Sequence, residues 1–247
     1  MNLWTSRKSC VFSIMAFLVV LGLAQGIAVA ASYKEAPVLQ EMVKNGDLPP
    51  VEERLPVNPL VVEPYDEIGQ YGGVLRRAYS GPSDRTNFQR FLTDGYVRWT
   101  ADGSSFYPNL LVSWELSSDG RTYRCELREG VKWSDGHPFT TDDIMFWFND
   151  FILNEELTPV VPAYLRPGGE TAVFTQISDT VFEIEFAVSN PMFVDYRFTE
   201  WDLHLPKHYM SQFHVDYADP AALEEEMKNA GVDKWYNLFD AKMNRWY

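Results

Sequence analysis

The chain has 247 residues, of which 46% are hydrophobic and 23% are charged, a composition typical of globular proteins rather than of disordered or fibrous ones. Its 21 basic and 35 acidic side chains give a formal net charge of -14 at pH 7, which disfavours nucleic acids and anionic membranes as partners. Aromatic residues make up 15% of the chain and suit either a large core or stacking surfaces for ligands.

The N-terminus has the parts of a secretory signal peptide. Arg7 and Lys8 form a basic start, residues 11–24 are apolar, and an Ala-Val-Ala sequence follows. The sequence therefore predicts a signal peptide over residues 1–30, with a retained membrane anchor as the alternative. Cleavage would remove Arg7 and Lys8, changing the net charge from -14 to -16, and would leave Cys125 as the sole cysteine. We therefore expect an exported protein without an internal disulfide.

Three elements are predicted before the main strands. Residues 36–45 have the apolar spacing of a helix, and Gly46 is suited to end it. Residues 49–64 contain five prolines, which predict an extended strap over the surface rather than a helix or a central strand. After a turn at 69–73, residues 74–79 are predicted to form a strand.

The middle of the chain predicts two antiparallel hairpins with a helix between them. The Asp119-Gly120 pair is a strong hairpin signal, and the strand after it alternates polar and apolar side chains. Thr140 is a favourable helix N-cap, and apolar residues at helical spacing after it predict docking on a sheet. The predicted elements are strands 110–116 and 122–127, the helix from Thr140, strands 171–177 and 181–188, a helix from Asp219 to Gly231, and a helix from Val232.

The sequence contains no G-x-S-x-G, P-loop or G-x-G-x-x-G motif, so the common hydrolase and nucleotide-binding sites have no support. His204 and His208 are four residues apart and would suit a metal site together with His214 and Asp202. Pro206 lies between the first two and interrupts a shared helical face, which favours surface or capping roles for these histidines.

Acidic side chains keep a glycosidase open as an alternative, because such an enzyme needs two carboxyl groups in a cleft. Each candidate also has a simpler role in a turn or at a helix start. The candidates are Asp94, Asp135, Asp142, Asp143 and Glu200. Cys125 falls on the apolar side of a predicted strand, where we expect a small core residue rather than a nucleophile.

Several consecutive segments together resemble the signature of the family 5 extracellular solute-binding proteins, the oligopeptide, dipeptide and nickel-type receptors of ABC importers. These segments are LLVSWE at 110–115, SDGRTY at 118–123, LREGVKWSDG at 127–136 and PFTTDD at 138–143, with LPKHY at 205–209 and GQYGG at 69–73 as further matches. The likeness extends from about Pro37 to the end of the chain. Cys125 departs from it, since the family usually has a bulky apolar residue there.

The resemblance implies an α/β (mixed α+β) fold of the type II periplasmic-binding-protein kind, with an incomplete first lobe and a small inserted β-rich domain. Members of the family have five or six hundred residues, so the resemblance implies an N-terminal fragment. The implied divisions are a signal peptide at 1–30, an N-terminal helix and Pro-rich strap at 31–68, and the N-terminal part of the solute-binding domain at 69–247. Within the last, the first lobe would start at 69–85, the inserted domain would cover about 86–198, and the return to the first lobe 199–247.

The implied function is capture of a small solute, an oligopeptide or an oligosaccharide, between two lobes and its delivery to the membrane permease of an ABC importer. The resemblance implies ligand contacts from Ser83, Asp84 and Arg85, after the first strand, and from Tyr164, after the signature helix; ordinary surface loops are the alternative. We expect a monomer in the periplasm or outside the cell, without catalytic residues, metal, cofactor or nucleic-acid partner. A secreted carbohydrate-active enzyme and a non-functional truncation product are the alternative hypotheses.

Overall fold

The computed structural model describes residues 33–81, 94–200 and 203–243. The predicted signal peptide at 1–30 lies outside the described residues. All described residues belong to one compact unit, Tyr33–Tyr247. Within them, no helix has the length and apolar content that a membrane crossing requires.

The N-terminal elements are partly as predicted. Helix α1 (Pro37–Asn45) ends at Gly46, whose φ of 79° lets its N–H return to the carbonyl groups of the last turn. The region predicted to be wholly extended contains a short helix, α2 (Val51–Arg54), so that prediction is wrong there. Pro50 precedes this helix with a φ of -51°, and the Arg54 side chain donates to the Pro49 carbonyl across the turn at 3.0 Å.

The rest of the Pro-rich segment lies over the later part of the chain, as predicted. The backbone N–H of Val57 donates to the carbonyl of Glu129 at 3.1 Å. The Arg128 guanidinium donates to the carbonyl of Asn58 at 2.6 Å. These bonds attach the strap to the turn that follows the second strand of the predicted hairpin.

The strand predicted at 74–79 is not formed. None of the strands in the described part of the chain pairs with these residues, and Val74 and Leu75 are 78% and 75% exposed. An apolar segment needs a neighbouring strand for its backbone hydrogen bonds before it becomes part of a sheet.

The described residues form two antiparallel sheets. Their strands are β1 (Val97–Trp99), β2 (Phe106–Pro108), β3 (Leu111–Leu116), β4 (Thr122–Leu127), β5 (Val173–Gln176) and β6 (Val181–Glu185). Strands β1 and β2 form a two-stranded sheet, and the other four form the central sheet with the order β3-β4-β6-β5. Both predicted hairpins are confirmed, and β4 buries Tyr123, Cys125 and Leu127 while its other side chains face outward or are half-buried.

The signature helix begins as predicted, with a capping box between Thr140 and Asp143. Helix α3 (Thr141–Phe146) then continues into a π-helix, Trp147–Ile152, which the sequence did not predict. The apolar stripe is buried, and Phe148 stacks on Phe174 of β5 with ring centroids 4.3 Å apart. This contact fixes the helix to the sheet.

The C-terminal part is helical. Its elements are α4 (Lys207–Met210), a 3-10 helix Ser211–Phe213, α5 (Pro220–Ala230) and α6 (Trp235–Met243). Asp219 caps α5 through bonds to two backbone N–H groups, and Gly231 ends it with a φ of 68°, both as predicted. Leu238 and Phe239 of α6 are fully buried and join the core.

Candidate ligand-binding region

Tyr164 lies in a short 3-10 helix, Ala163–Leu165, after the signature helix. Its neighbour Leu165 is fully buried and both donates a backbone bond to Pro162 and accepts one from Ala172. The Tyr164 ring itself is half-buried and packs under the Arg197 guanidinium, whose carbon lies 3.7 Å from the ring centroid. This cation–π contact fixes the position of the ring.

Arg197 is held by a second π-helix, Val194–Phe198. The residues around it anchor this helix, since Phe193 and Phe198 are fully buried and stack edge to face at 5.3 Å. The adjacent Tyr196 is 39% exposed, and its hydroxyl donates to the side chain of Asn190 at 2.9 Å. The guanidinium is thus held over one face of the Tyr164 ring by a helix that is anchored in the core.

The same π-helix contacts residues 94–96, which lead into β1. A Cβ atom added at Gly95 would lie 2.7 Å from the carbonyl oxygen of Thr199, so the two backbones are in direct contact. Gly95 leads directly into β1, whose Val97 is buried. Residues 94–96 therefore pack against the element that carries Arg197.

Of the four predicted ligand contacts, the structure places Tyr164. Ser83, Asp84 and Arg85 lie outside the described residues, so their grouping with Tyr164 stays a prediction. Arg197 is a residue that sequence reasoning missed, because no motif connects it to Tyr164 and their contact exists only in the folded chain. We define the Tyr164–Arg197 pair as the candidate ligand-binding region.

Asp143 is a buried carboxylate with a structural role. It is 3% exposed and accepts bonds from the Thr140 N–H at 3.0 Å, the Trp133 indole N–H at 3.1 Å and the Lys207 N–H at 2.9 Å. These donors satisfy the buried charge. The bonds connect the turn before the signature helix to the start of α4, which removes Asp143 from the set of candidate catalytic acids.

The histidines considered for a metal site have separate partners. The Nδ1 atom of His204 lies 2.9 Å from the Tyr96 hydroxyl, and His208 binds the Asp135 carboxylate at 2.7 Å. His214 is fully buried, donates to the carbonyl of Asp150 at 3.1 Å and accepts from a backbone N–H. Asp202 lies outside the described residues. Within the ranges that the structure describes, no group of three His, Cys, Asp or Glu residues has a geometry that could hold a metal ion.

Burial shifts the pKa values of His204 and Cys125. Desolvation lowers the pKa of His204 to about 4, because the ring packs among Tyr96, Trp133 and Phe139 with centroids 5.1–5.5 Å away. Desolvation also raises the pKa of the Cys125 thiol well above its ordinary value, followed by a smaller effect of Glu183. A buried neutral thiol is a poor nucleophile, which agrees with a core role for Cys125.

A family model for bacterial extracellular solute-binding proteins, family 5 (middle region), matches residues 105–238, more than half of the chain. The chain belongs to this family. The match covers the four-stranded sheet, both π-helices and the Tyr164–Arg197 pair. The quoted segments between residues 110 and 143 and at 205–209 lie within this match, whereas the segment at 69–73 lies outside it.

Relatives of this family match in sequence and in structure. The periplasmic alpha-galactoside-binding protein of Rhizobium meliloti (strain 1021) is 34% identical over an alignment of 174 positions that covers 62% of this chain and 25% of that protein. The solved structure of an oligopeptide-binding protein OppA has a TM-score of 0.76 at 37% identity, covering 85% of this chain and 33% of that one. The periplasmic binding protein MelB of Agrobacterium fabrum C58, solved with stachyose, shares the fold with a TM-score of 0.63 at 24% identity, covering 86% of this chain and 33% of that one.

This chain therefore spans a quarter to a third of the length of these relatives. The mixed α/β fold is that of type II periplasmic binding proteins, as predicted. This chain corresponds to one part of such proteins.

Proposed function

We propose that the protein acts as the solute-capture component of an ABC importer, binding a short oligopeptide or oligosaccharide and delivering it to a membrane permease. The observation that carries this proposal is the likeness to the oligopeptide-binding protein OppA, at 37% identity and a TM-score of 0.76 over 85% of this chain. In this proposal residues 69–85 and 199–247 belong to the first lobe and residues 86–198 form the inserted domain.

Both ligand chemistries have support among the relatives. One is named for alpha-galactosides, one is solved with stachyose and others are named for oligopeptides. The Tyr164–Arg197 pair suits either class, because an aromatic face packs against a sugar ring or a side chain and a guanidinium binds carbonyl, hydroxyl or carboxylate oxygens. Ser83, Asp84 and Arg85 are proposed as further contacts.

Capture in this proposal involves no bond-breaking chemistry. The relatives are binding proteins, and a solute held between two lobes shifts the population from open to closed forms without being changed. The closed form then presents a different surface to the permease. Export through the predicted signal peptide would place this cycle in the periplasm or outside the cell.

The test is a calorimetric titration of the purified chain with tri-alanine and with stachyose. We expect saturable binding of one of them, and we expect Tyr164→Ala to weaken it at least tenfold, because the aromatic contact and the support of Arg197 are both lost. Tyr71→Ala is the control, since Tyr71 is 61% exposed in the N-terminal segment. Equal affinities of the two variants would argue against the assigned region, and absence of saturable binding would contradict the proposed function.

A further inference from the structure

A groove lies on the C-terminal helices, and its lining includes neither Tyr164 nor Arg197. It is bounded by the 3-10 helix Ser211–Phe213 and by α5 and α6, and its volume is about 530 Å³, within the usual range for small-molecule sites. The side chains that give it its chemistry are Tyr209, Gln212, Tyr217, Asp219, Glu226 and Lys242.

Two fixed aromatic rings border this groove. Tyr209 is 41% exposed and packs edge to face on the buried Phe213, with centroids 5.3 Å apart. Tyr217 is 47% exposed, and its hydroxyl donates to Asp150 at 2.9 Å, which sets the orientation of the ring. Rings that are held in place while their faces stay in contact with solvent favour stacking of a flat apolar surface, such as the C–H face of a pyranose.

The polar groups of the groove are arranged for hydroxyl groups rather than for a charged ligand. Lys242 Nζ lies 2.7 Å from a Glu226 oxygen and 4.6 Å from the centroid of the Phe213 ring. The Lys242 ammonium therefore occupies the cation–π position over the Phe213 ring, and the Glu226 carboxylate compensates its charge. One oxygen of Asp219 caps α5, and Gln212 donates to the carbonyl of His208 at 3.2 Å. The other carboxylate oxygens of Asp219 and Glu226 and the amide oxygen of Gln212 can accept hydrogen bonds from ligand hydroxyl groups.

The charges of the groove also disfavour an anion. Its two carboxylates, on Asp219 and Glu226, outnumber the single ammonium of Lys242, so a phosphate or carboxylate ligand would meet net repulsion. The combination of exposed aromatic faces, paired charges and several acceptors fits a neutral polyhydroxylated molecule.

We propose that this groove is a binding site for a neutral saccharide, separate from the Tyr164–Arg197 pair. The site would hold sugars at the surface of the C-terminal helices independently of capture at the candidate ligand-binding region. It therefore does not depend on the proposed importer function.

The experiment measures binding of melibiose to the full chain by ligand-observed NMR, with a matched pair of variants on α5. Ala222 is exposed and lines the groove, whereas its neighbour Ala221 is exposed and does not. Arginine is a good helix former at either position, so both variants should fold. We expect Ala222→Arg to weaken melibiose binding at least tenfold and Ala221→Arg to leave it unchanged, with thermal unfolding curves confirming that both variants are folded.

A third variant separates this proposal from the proposed function. Tyr164→Ala should retain the part of the melibiose signal that Ala222→Arg removes, whether or not the candidate ligand-binding region also binds this sugar. The proposal is overturned if the unmodified chain gives no melibiose signal, if the two α5 variants bind alike, or if only Tyr164→Ala removes the signal.

Discussion

At the residue scale, the Asp143 carboxylate connects three parts of the described structure through hydrogen bonds. It caps the signature helix, holds the Trp133 indole and accepts a bond from the start of α4. We predict that Asp143→Asn lowers the free energy of unfolding by about 2 kcal/mol or more, because the buried bonds lose their charged acceptor and one amide hydrogen faces a donor. Urea denaturation measures the difference.

The neighbouring Asp142 provides the control for this prediction. Asp142 is exposed, accepts a bond from Gln176 at 2.8 Å and lies 3.7 Å from the Lys207 ammonium in a solvent-exposed ion pair. Asp142→Asn should therefore cost less than about 1 kcal/mol. If the two variants unfold at the same urea concentration, the three buried bonds of Asp143 do not contribute as argued.

The second prediction at this scale concerns His204 and pH. Its pKa is lowered from 6.5 to about 4 by desolvation in the folded protein, so the unfolded chain binds more protons between these values. The contribution of neutral His204 to the free energy of unfolding should be fully present above pH 6.5. It should be lost as the pH is lowered from 6.5 to about 4. His204→Phe should flatten this part of the curve, measured by urea denaturation at a series of pH values.

Tyr96→Phe distinguishes titration of the imidazole from loss of its hydrogen bond. This variant keeps the buried ring but removes the hydroxyl that lies 2.9 Å from His204 Nδ1 and donates to the Leu203 carbonyl at 3.1 Å. The free energy of unfolding of Tyr96→Phe should be lower than that of the unmodified protein at every pH. Its dependence on pH between 6.5 and 4 should be unchanged. A slope that persists in His204→Phe would show that another group is responsible.

At the scale of elements, local signals predicted most boundaries. The Thr140 cap, the Asp219 cap and the stops at Gly46 and Gly231 act within one turn, so the sequence carries them completely. Alternation along β4 likewise predicted which side is buried. Such features need no knowledge of distant residues.

Features that depend on packing were not predicted. Both π-helices consist of residues whose spacing also fits an α-helix, and α2 forms in a segment whose prolines favour extended backbone. Residues 74–79 have a strand pattern but belong to none of the strands in the described ranges. The Tyr164–Arg197 contact belongs to the same class, since it arises only when the second π-helix packs beside the 3-10 helix.

The third prediction tests how closely these elements fit. Gly95→Ala should destabilise the protein, because the added methyl group would meet the Thr199 backbone, which cannot rotate away as a side chain can. The cost should be about 1–3 kcal/mol in urea denaturation. Gly69→Ala is the matched control, since an added Cβ there meets no atom within 4 Å. Equal stabilities would contradict the close contact between residues 94–96 and the Arg197 helix.

At the scale of the whole molecule, apolar exposure is concentrated in one segment. Large apolar side chains between residues 61 and 79 are 56–92% exposed, although the sheet and helices of the described part have a continuous buried core. The chain also spans only a third of the length of its structural relatives OppA and MelB. The sequence was sufficient to predict the fold and the family, because its signature segments are consecutive in the chain. It did not predict Arg197 as part of the candidate ligand-binding region, because that contact depends on tertiary packing.

The central claim is that the protein binds a solute and returns it unchanged. Equilibrium dialysis of the full chain against a mixture of tri-alanine and stachyose, followed by mass spectrometry of both compartments, tests this claim directly. We expect one of the two solutes to be enriched with the protein and to be recovered at its original mass. Equal concentrations on both sides, or the appearance of hydrolysis products, would contradict it.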